Sequence, residues 1–100
     1  MGGSGQGEAM AANRVKGVRC ALYYGSVQAV GAVDAEGNTA ADEFEILRLS
    51  REHNNANILS LAARFLSQDQ IDQAATIWLE APFAGVERHA RRIKKIDELS

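Results

Sequence analysis

Residues 2 to 24 read Gly2-Gly3-Ser4-Gly5-Gln6-Gly7, then EAMAANRV from Glu8 to Val15, then Lys16-Gly17, then VRCALYY from Val18 to Tyr24. The reading of this stretch decides the fold. The opening has almost no side-chain substance. The alanine-rich segment Glu8 to Val15 predicts a helix. Gly17 stops it, because glycine tolerates the left-handed conformation just past a helix end. Val18 to Tyr24 is short, apolar and carries β-branched and aromatic residues, which predicts a strand.

Working outward, Gly25 to Ala41 is polar and small, with a turn at Glu36-Gly37-Asn38, and reads as a loop or insertion holding a short helix around Val27 to Val30. Asp42 with Glu45 three residues on resembles a capping box. Phe44, Ile46, Leu47 and Leu49 follow as the apolar flank of a helix that Asn54-Asn55 ends. Asn57 to Ala62 (NILSLA) predicts a second buried strand. Ser67 and Gln70 form another capping box ahead of Ile71, Ala74, Ala75 and Trp78, a single helical stripe closed by Pro82. Val86 to Leu99 predicts a last helix with His89, Ile93 and Ile96 along one face. Strands alternating with helices imply a parallel sheet covered on both faces. Two strands are few for such a sheet, so the expectation is an α/β chain with further strands missing upstream.

The 100 residues bound the chain to one domain, with 46% hydrophobic and 24% charged residues and a net charge of −2. That balance gives no general attraction to nucleic acid or anionic membrane. The single cysteine, Cys20, excludes an intrachain disulfide and a cysteine-based zinc site and fits a reducing cytoplasm. No apolar run approaches the roughly 18 residues of a membrane span, and the N-terminus has no signal-peptide stretch.

The chemistry-bearing residues fall into three groups. A glycine turn running into a helix presents several N–H groups at one point, a cradle for a phosphate or for the oxyanion of an enolised carbonyl. The same residues also suit a flexible linker or an expression scar. Glu8, in the first helical turn, is either a carboxylate favoured by the dipole or a general base beside the cradle. His53, in Ser50-Arg51-Glu52-His53-Asn54-Asn55, is either a helix C-cap or a ligand group. Arg88, Arg92 and Lys95 share one helix face, either solvated or gripping an anion. Arg64 directly follows the second strand and is either a second anion ligand or a surface charge. Cys20 reads as a small core residue.

Three blocks then converge: GGSGQGEAMAANRVKGVRCAL (Gly2 to Leu22), LSREHNNANILSLAARF (Leu49 to Phe65) and ERHARRIKKI (Glu87 to Ile96). Together they resemble the ribose-5-phosphate isomerase B family, which includes the galactose-6-phosphate isomerase subunits. Because the match runs past the glycines into Ala11-Ala12-Asn13, the linker reading recedes. The resemblance implies the C-terminal portion of a Rossmann-like three-layer α/β/α sandwich with a parallel sheet. It implies a cytoplasmic aldose–ketose isomerase of the pentose phosphate pathway, working through an enediolate on a sugar phosphate, with no cofactor, metal, nucleic acid or membrane, and as a homodimer with sites between subunits.

By position, Gly3, Ser4 and Gly5 would hold the enediolate oxygens. Many members carry a cysteine base just before that loop; here the position is Gly2. Another branch uses a glutamate after the Gly-x-Gly, which Glu8 matches. His53 and Asn54 would sit near the sugar ring, and Arg64, Arg88 and Arg92, with His89 beside them, match phosphate ligands. The loop from Gly31 to Asp42 is longer than in the simplest members. The first three strands and an Asp-His pair are absent, which would leave the inner edge of the first strand unpaired. The resemblance therefore implies a partial domain, weakly stable, aggregation-prone or inactive on its own. The alternatives are a non-catalytic phosphate-binding fragment, or a nucleic-acid-binding domain using the last helix.

Overall fold

The computed structural model describes residues 1–40 and 42–99, so position 41, the last residue of the expected loop, lies outside it. Strand β1 (Cys20–Tyr23) and strand β2 (Ile58–Leu61) run parallel, with Cys20 opposite Ile58 and Tyr23 opposite Leu61. Both are shorter than the runs expected from sequence, because Val18 and Arg19 lead into the sheet without pairing as strand. Asn57 holds this entry. Its Oδ1 accepts from the Arg19 amide at 2.8 Å and its Nδ2 donates to the Gly17 carbonyl at 2.8 Å.

Side chains alternate across the sheet. Ala21, Tyr23, Leu59 and Leu61 point into one cluster with Leu47, Ala56, Leu66, Ala74 and Trp78. On the other face Leu22 and Ser60 meet Gly5 at the start of α1 (Gln6–Ala12). Helices α2 (Glu45–Glu52) and α3 (Gln68–Glu80) cover the first face, so the layers are α1, sheet, and α2 with α3. This is the expected α/β/α arrangement. The core is small. Tyr23 and Leu47 are each 2% exposed and Trp78 7%, while Met10, Phe65 and Leu79 stay largely in solvent. Burial of Leu47 or Trp78 contributes about 1.5–3 kcal/mol each.

The edges correct one expectation. Beside β2, on the side away from β1, Gly2 forms a single parallel bridge to Ala62, donating to Leu61 O at 3.2 Å and accepting from Ala63 N at 2.8 Å. The edge left short of partners on that side therefore belongs to the second strand, not the first. The outer edge of β1 is closed at its start by a side chain: Asn13 Oδ1 accepts from Cys20 N at 2.7 Å and Asn13 Nδ2 donates to Cys20 O at 3.1 Å.

Among the helices, the Ser67–Gln70 capping box forms in both directions. The one expected at Asp42 does not. Phe44 is the N-cap of α2, while Asp42 accepts from Phe44 N at 2.9 Å and grips Arg48 with both carboxylate oxygens at 2.7 and 3.0 Å. Asp42 lies two residues upstream of the N-cap position and stabilises the helix through an ion pair instead. That pairing and the Phe44 amide hold the Asp42 carboxyl below its usual range. No helix forms at Val27 to Val30, where Val30 is wholly exposed and finds nothing to pack on. Arg51 ties α2 to α3. It donates to Ala56 O at 2.8 Å and Ala81 O at 3.2 Å, with its guanidinium 4.4 Å from the Trp78 ring centroid. Helix α4 (Glu87–Glu98) follows Pro82 and buries His89 and Ile93. Among the described residues no helix is long and apolar enough to cross a membrane.

Candidate active site

The glycine turn lies at the carboxyl ends of the strands, where open α/β sheets present ligand groups. Gly5 is the N-cap of α1 at φ 73°, in the left-handed region. Its backbone is held by the buried Ser60, whose Oγ donates to Gly5 O at 2.8 Å. A methyl on Gly5 would lie 2.7 Å from Leu22 Cδ1 and 3.0 Å from Ser60 Oγ, so the turn sits tightly against the sheet. Ser4 Oγ accepts from the Gln6 amide at 3.3 Å. Among the described residues, the amides of Gly3, Ser4, Gly5 and Gly7 have no hydrogen-bond acceptor. Helix α1 has only seven residues, so its macrodipole is small, and the free amides themselves are the electrostatic resource.

Two charged side chains flank this turn. The Glu8 carboxylate lies over the α-carbon of Gly2: a Cβ built there would be 1.9 Å from Glu8 Oε2. The Arg64 guanidinium lies over Gly3, with Nη2 3.0 Å from an equivalent Cβ, and the Arg64 amide donates to Gly3 O at 2.9 Å. Glu8 and Arg64 are both exposed at the surface of the turn. Sequence reading grouped Gly3, Ser4 and Gly5 with Glu8 and set Arg64 with Arg88 and Arg92; the structure puts Arg64 beside the glycine turn instead.

The remaining residues assemble elsewhere. His53 is the C-cap of α2, as one of the two sequence readings had it, and its ring stacks on that of His89 with centroids 4.1 Å apart and planes at 18°. Arg92 donates from its guanidinium to His89 Nδ1. Guanidinium cannot accept a hydrogen bond, so this contact leaves the His89 proton on Nε2. Burial, then the neighbouring His53, Arg88 and Arg92, push the His89 pKa below its ordinary value against the opposing pull of Glu36. Arg88 Nη2 lies 3.9 Å from Glu36 Oε2. Asn54 faces a cleft of about 340 Å³ shared with Asn13, Arg19, Cys20, Ile96 and Asp97. Glu8, Arg64, Arg88 and Arg92 do not line that cleft. Burial pushes the Cys20 thiol up, away from a reactive thiolate.

The second cluster precedes β2 and the first follows it. Four residues of strand separate them along the sheet, about 13 Å at ~3.3 Å per residue. The structure thus divides the sequence-predicted site into two groups at opposite ends of the sheet. Sequence reading missed this division, and it missed Glu36, which sits in a loop with no periodic signal. It also missed Arg51, whose partners lie up to 30 residues away.

Comparison with known proteins follows the same lines. Residues 1–96 match the family model described as Ribose/Galactose Isomerase. Ribose-5-phosphate isomerase B of Mycobacterium leprae is 33% identical over 98 residues, 98% of this chain and 49% of that protein. The ribose 5-phosphate isomerase of Thermotoga maritima superposes with TM-score 0.73 at 38% identity, covering 96% of this chain and 53% of that one. Ribose-5-phosphate isomerase B of Mycoplasma genitalium, solved with bound ribulose-5-phosphate, gives TM-score 0.75 at 35% identity, covering 97% and 51%. The chain spans about half the length of the curated relatives it matches. With the glycine turn, its glutamate and the parallel βαβ core in the arrangement described, the chain belongs to the ribose/galactose isomerase family.

Proposed function

We propose that this chain carries the proton-transfer and phosphate-gripping residues of an aldose–ketose isomerase that interconverts ribose 5-phosphate and ribulose 5-phosphate. The observation that carries the proposal is the position of the Glu8 carboxylate over Gly2, at the mouth of a turn with free amides and beside Arg64. In this reading Glu8 removes the proton from C2 of the open aldose. The C2–H electron pair becomes the C1=C2 double bond, and the carbonyl oxygen becomes an oxyanion. Amides of Gly3, Ser4 and Gly5 donate to the enediolate oxygens, the hydroxyl proton on O2 passes to O1, and Glu8 returns its proton to C1 as the O2 electron pair forms the ketose carbonyl at C2. The sugar phosphate assignment draws support from the Mycoplasma genitalium relative with bound ribulose-5-phosphate.

His53 and Asn54 take the sugar ring and assist its opening, and Arg64, Arg88 and Arg92, with His89, hold the phosphate. Because the two groups stand at opposite ends of one sheet, the complete site is formed between two copies, each supplying one end. A two-fold dimer makes two such sites. The roles assigned to His53, Asn54 and the arginines rest on the family resemblance and on this division.

A coupled assay of ribose 5-phosphate conversion tests the base. Glu8→Gln is expected to abolish turnover while Cys20→Ser retains it. Full rate in a folded Glu8→Gln protein would end the assignment. Mixing tests the shared site: Glu8→Gln and His53→Ala proteins, each inactive alone, should recover about a quarter of wild-type activity when exchanged into mixed dimers. No recovery from verified mixed dimers would show that both groups act within one chain.

A further inference from the structure

The loop after β1 ends in a closed turn that the catalytic reading does not use. Asp34 Oδ1 accepts from the amides of Glu36 and Asn38, both at 3.0 Å, and Asn38 Nδ2 donates to Asp34 Oδ2 at 2.7 Å. Val33 N donates to Asn38 O at 2.8 Å, and Gly37 takes φ 82°, a value that suits glycine. The turn is tied at both ends, and the residue at its tip is Glu36. Its carboxylate reaches across to α4 and lies 3.9 Å from Arg88 Nη2. The charged and titratable groups gathered at this point are Arg88, Arg92, His89 and His53, with Glu36 the acid among them.

We propose that Glu36 is an internal counter-ion for the Arg88 end of the phosphate site, a latch that an incoming phosphate must displace. This rests on the reading of Arg88 and Arg92 as phosphate ligands. A carboxylate and a phosphate oxygen compete for the same guanidinium edge, so the two cannot be held at Arg88 together. A carboxylate carries one negative charge and a phosphate ester close to two at neutral pH. Displacement therefore favours dianionic ligands, and singly charged acids gain little over the resident glutamate. The pair is solvent-facing, with the two side chains 38% and 63% exposed. Its effect is correspondingly modest, and suits a latch that opens in every binding event. The Asp34 turn matters because a carboxylate already held near its partner loses less side-chain freedom on pairing than one on a free loop.

The test is the affinity of the full chain for inorganic phosphate by calorimetry at fixed ionic strength. Glu36→Gln is expected to bind about two- to five-fold more tightly than wild type. Asp34→Ala, which keeps Glu36 but unties the turn, should show part of that gain. Glu43→Gln, an exposed acid of the same loop that is not paired with Arg88, should show none. In an Arg88→Gln background the gain from Glu36→Gln should vanish. Equal phosphate affinity of wild type and Glu36→Gln overturns the latch and leaves the phosphate site standing. A gain matched by Glu43→Gln, or surviving in Arg88→Gln, reduces it to net charge and also overturns it. Absence of phosphate binding in both wild type and Glu36→Gln removes the site itself, and the latch with it.

Discussion

Replacing Gly2 with alanine separates the position of the Glu8 carboxylate, the proposed base, from the stability of the fold. The added methyl would begin 1.9 Å from Glu8 Oε2, 2.3 Å from Cδ and 2.4 Å from Oε1, whereas real contacts of this kind stay beyond 3.0 Å. The carboxylate must therefore retreat by about 1 Å or more. It is the free end of a flexible side chain, so retreat costs about 0.5–1.5 kcal/mol at most. Alanine offsets part of this by restricting the unfolded chain, about 0.4–1 kcal/mol. Net stability should change by less than about 1 kcal/mol, or under ~8 °C in Tm for a domain of this size. Catalysis should respond far more, since a ~1 Å misplacement of a reacting group costs about 10²-fold, or ~2.7 kcal/mol in the barrier. The assay is kcat for ribose 5-phosphate isomerisation beside a thermal melt, with kcat falling and KM changing little. A folded Gly2→Ala protein with wild-type kcat would refute the reasoning. Gly5→Ala gives the contrast. There the methyl meets Leu22, Ser60 and the Ala62 backbone at φ 73°, so the melt should drop along with the rate.

Other outcomes follow from single contacts. Ser67→Ala removes the side chain that accepts from Gln70 N and should cost about 1 kcal/mol, read by urea denaturation. Arg51→Met keeps much of the apolar stem but loses the hydrogen bonds to Ala56 O and Ala81 O. It should cost about 1.5–3 kcal/mol, since bonds from a charged donor are the stronger kind, and an unchanged denaturation midpoint would count against the clasp. His89 links stability to pH. Its folded pKa lies below the ordinary 6.5, chiefly through burial, so the unfolded chain binds protons first as pH falls. Stability should decline as pH drops through about 6.5 and level off below the folded pKa. His89→Gln should flatten that part of the profile, and an unaltered slope would show that His89 is not its source.

The amino-acid sequence by itself determined the elements and their order, because those depend on neighbours along the chain. The Ser67–Gln70 box is local in this sense, as are the stripe ending at Trp78 and the stop at Pro82, and all three stand as read. The grouping of the glycine turn with Glu8 was equally legible, since one helical turn carries both. Local signals failed where a distant partner won. Asp42 looked like a cap from its spacing to Glu45, but Arg48 six residues on claims both its oxygens. Val27 to Val30 was expected to hold a short helix, but both valines stay in solvent with no surface to bury against. How the chain packs decided that Glu8 and Arg64 fall at one end of the sheet and His53, His89 and Arg92 at the other, that Arg51 is a clasp and that Glu36 reaches Arg88. Each of these pairs groups far apart in the chain, and which of them meet is fixed by how the helices pack across the strands, a relation that no spacing in the sequence encodes.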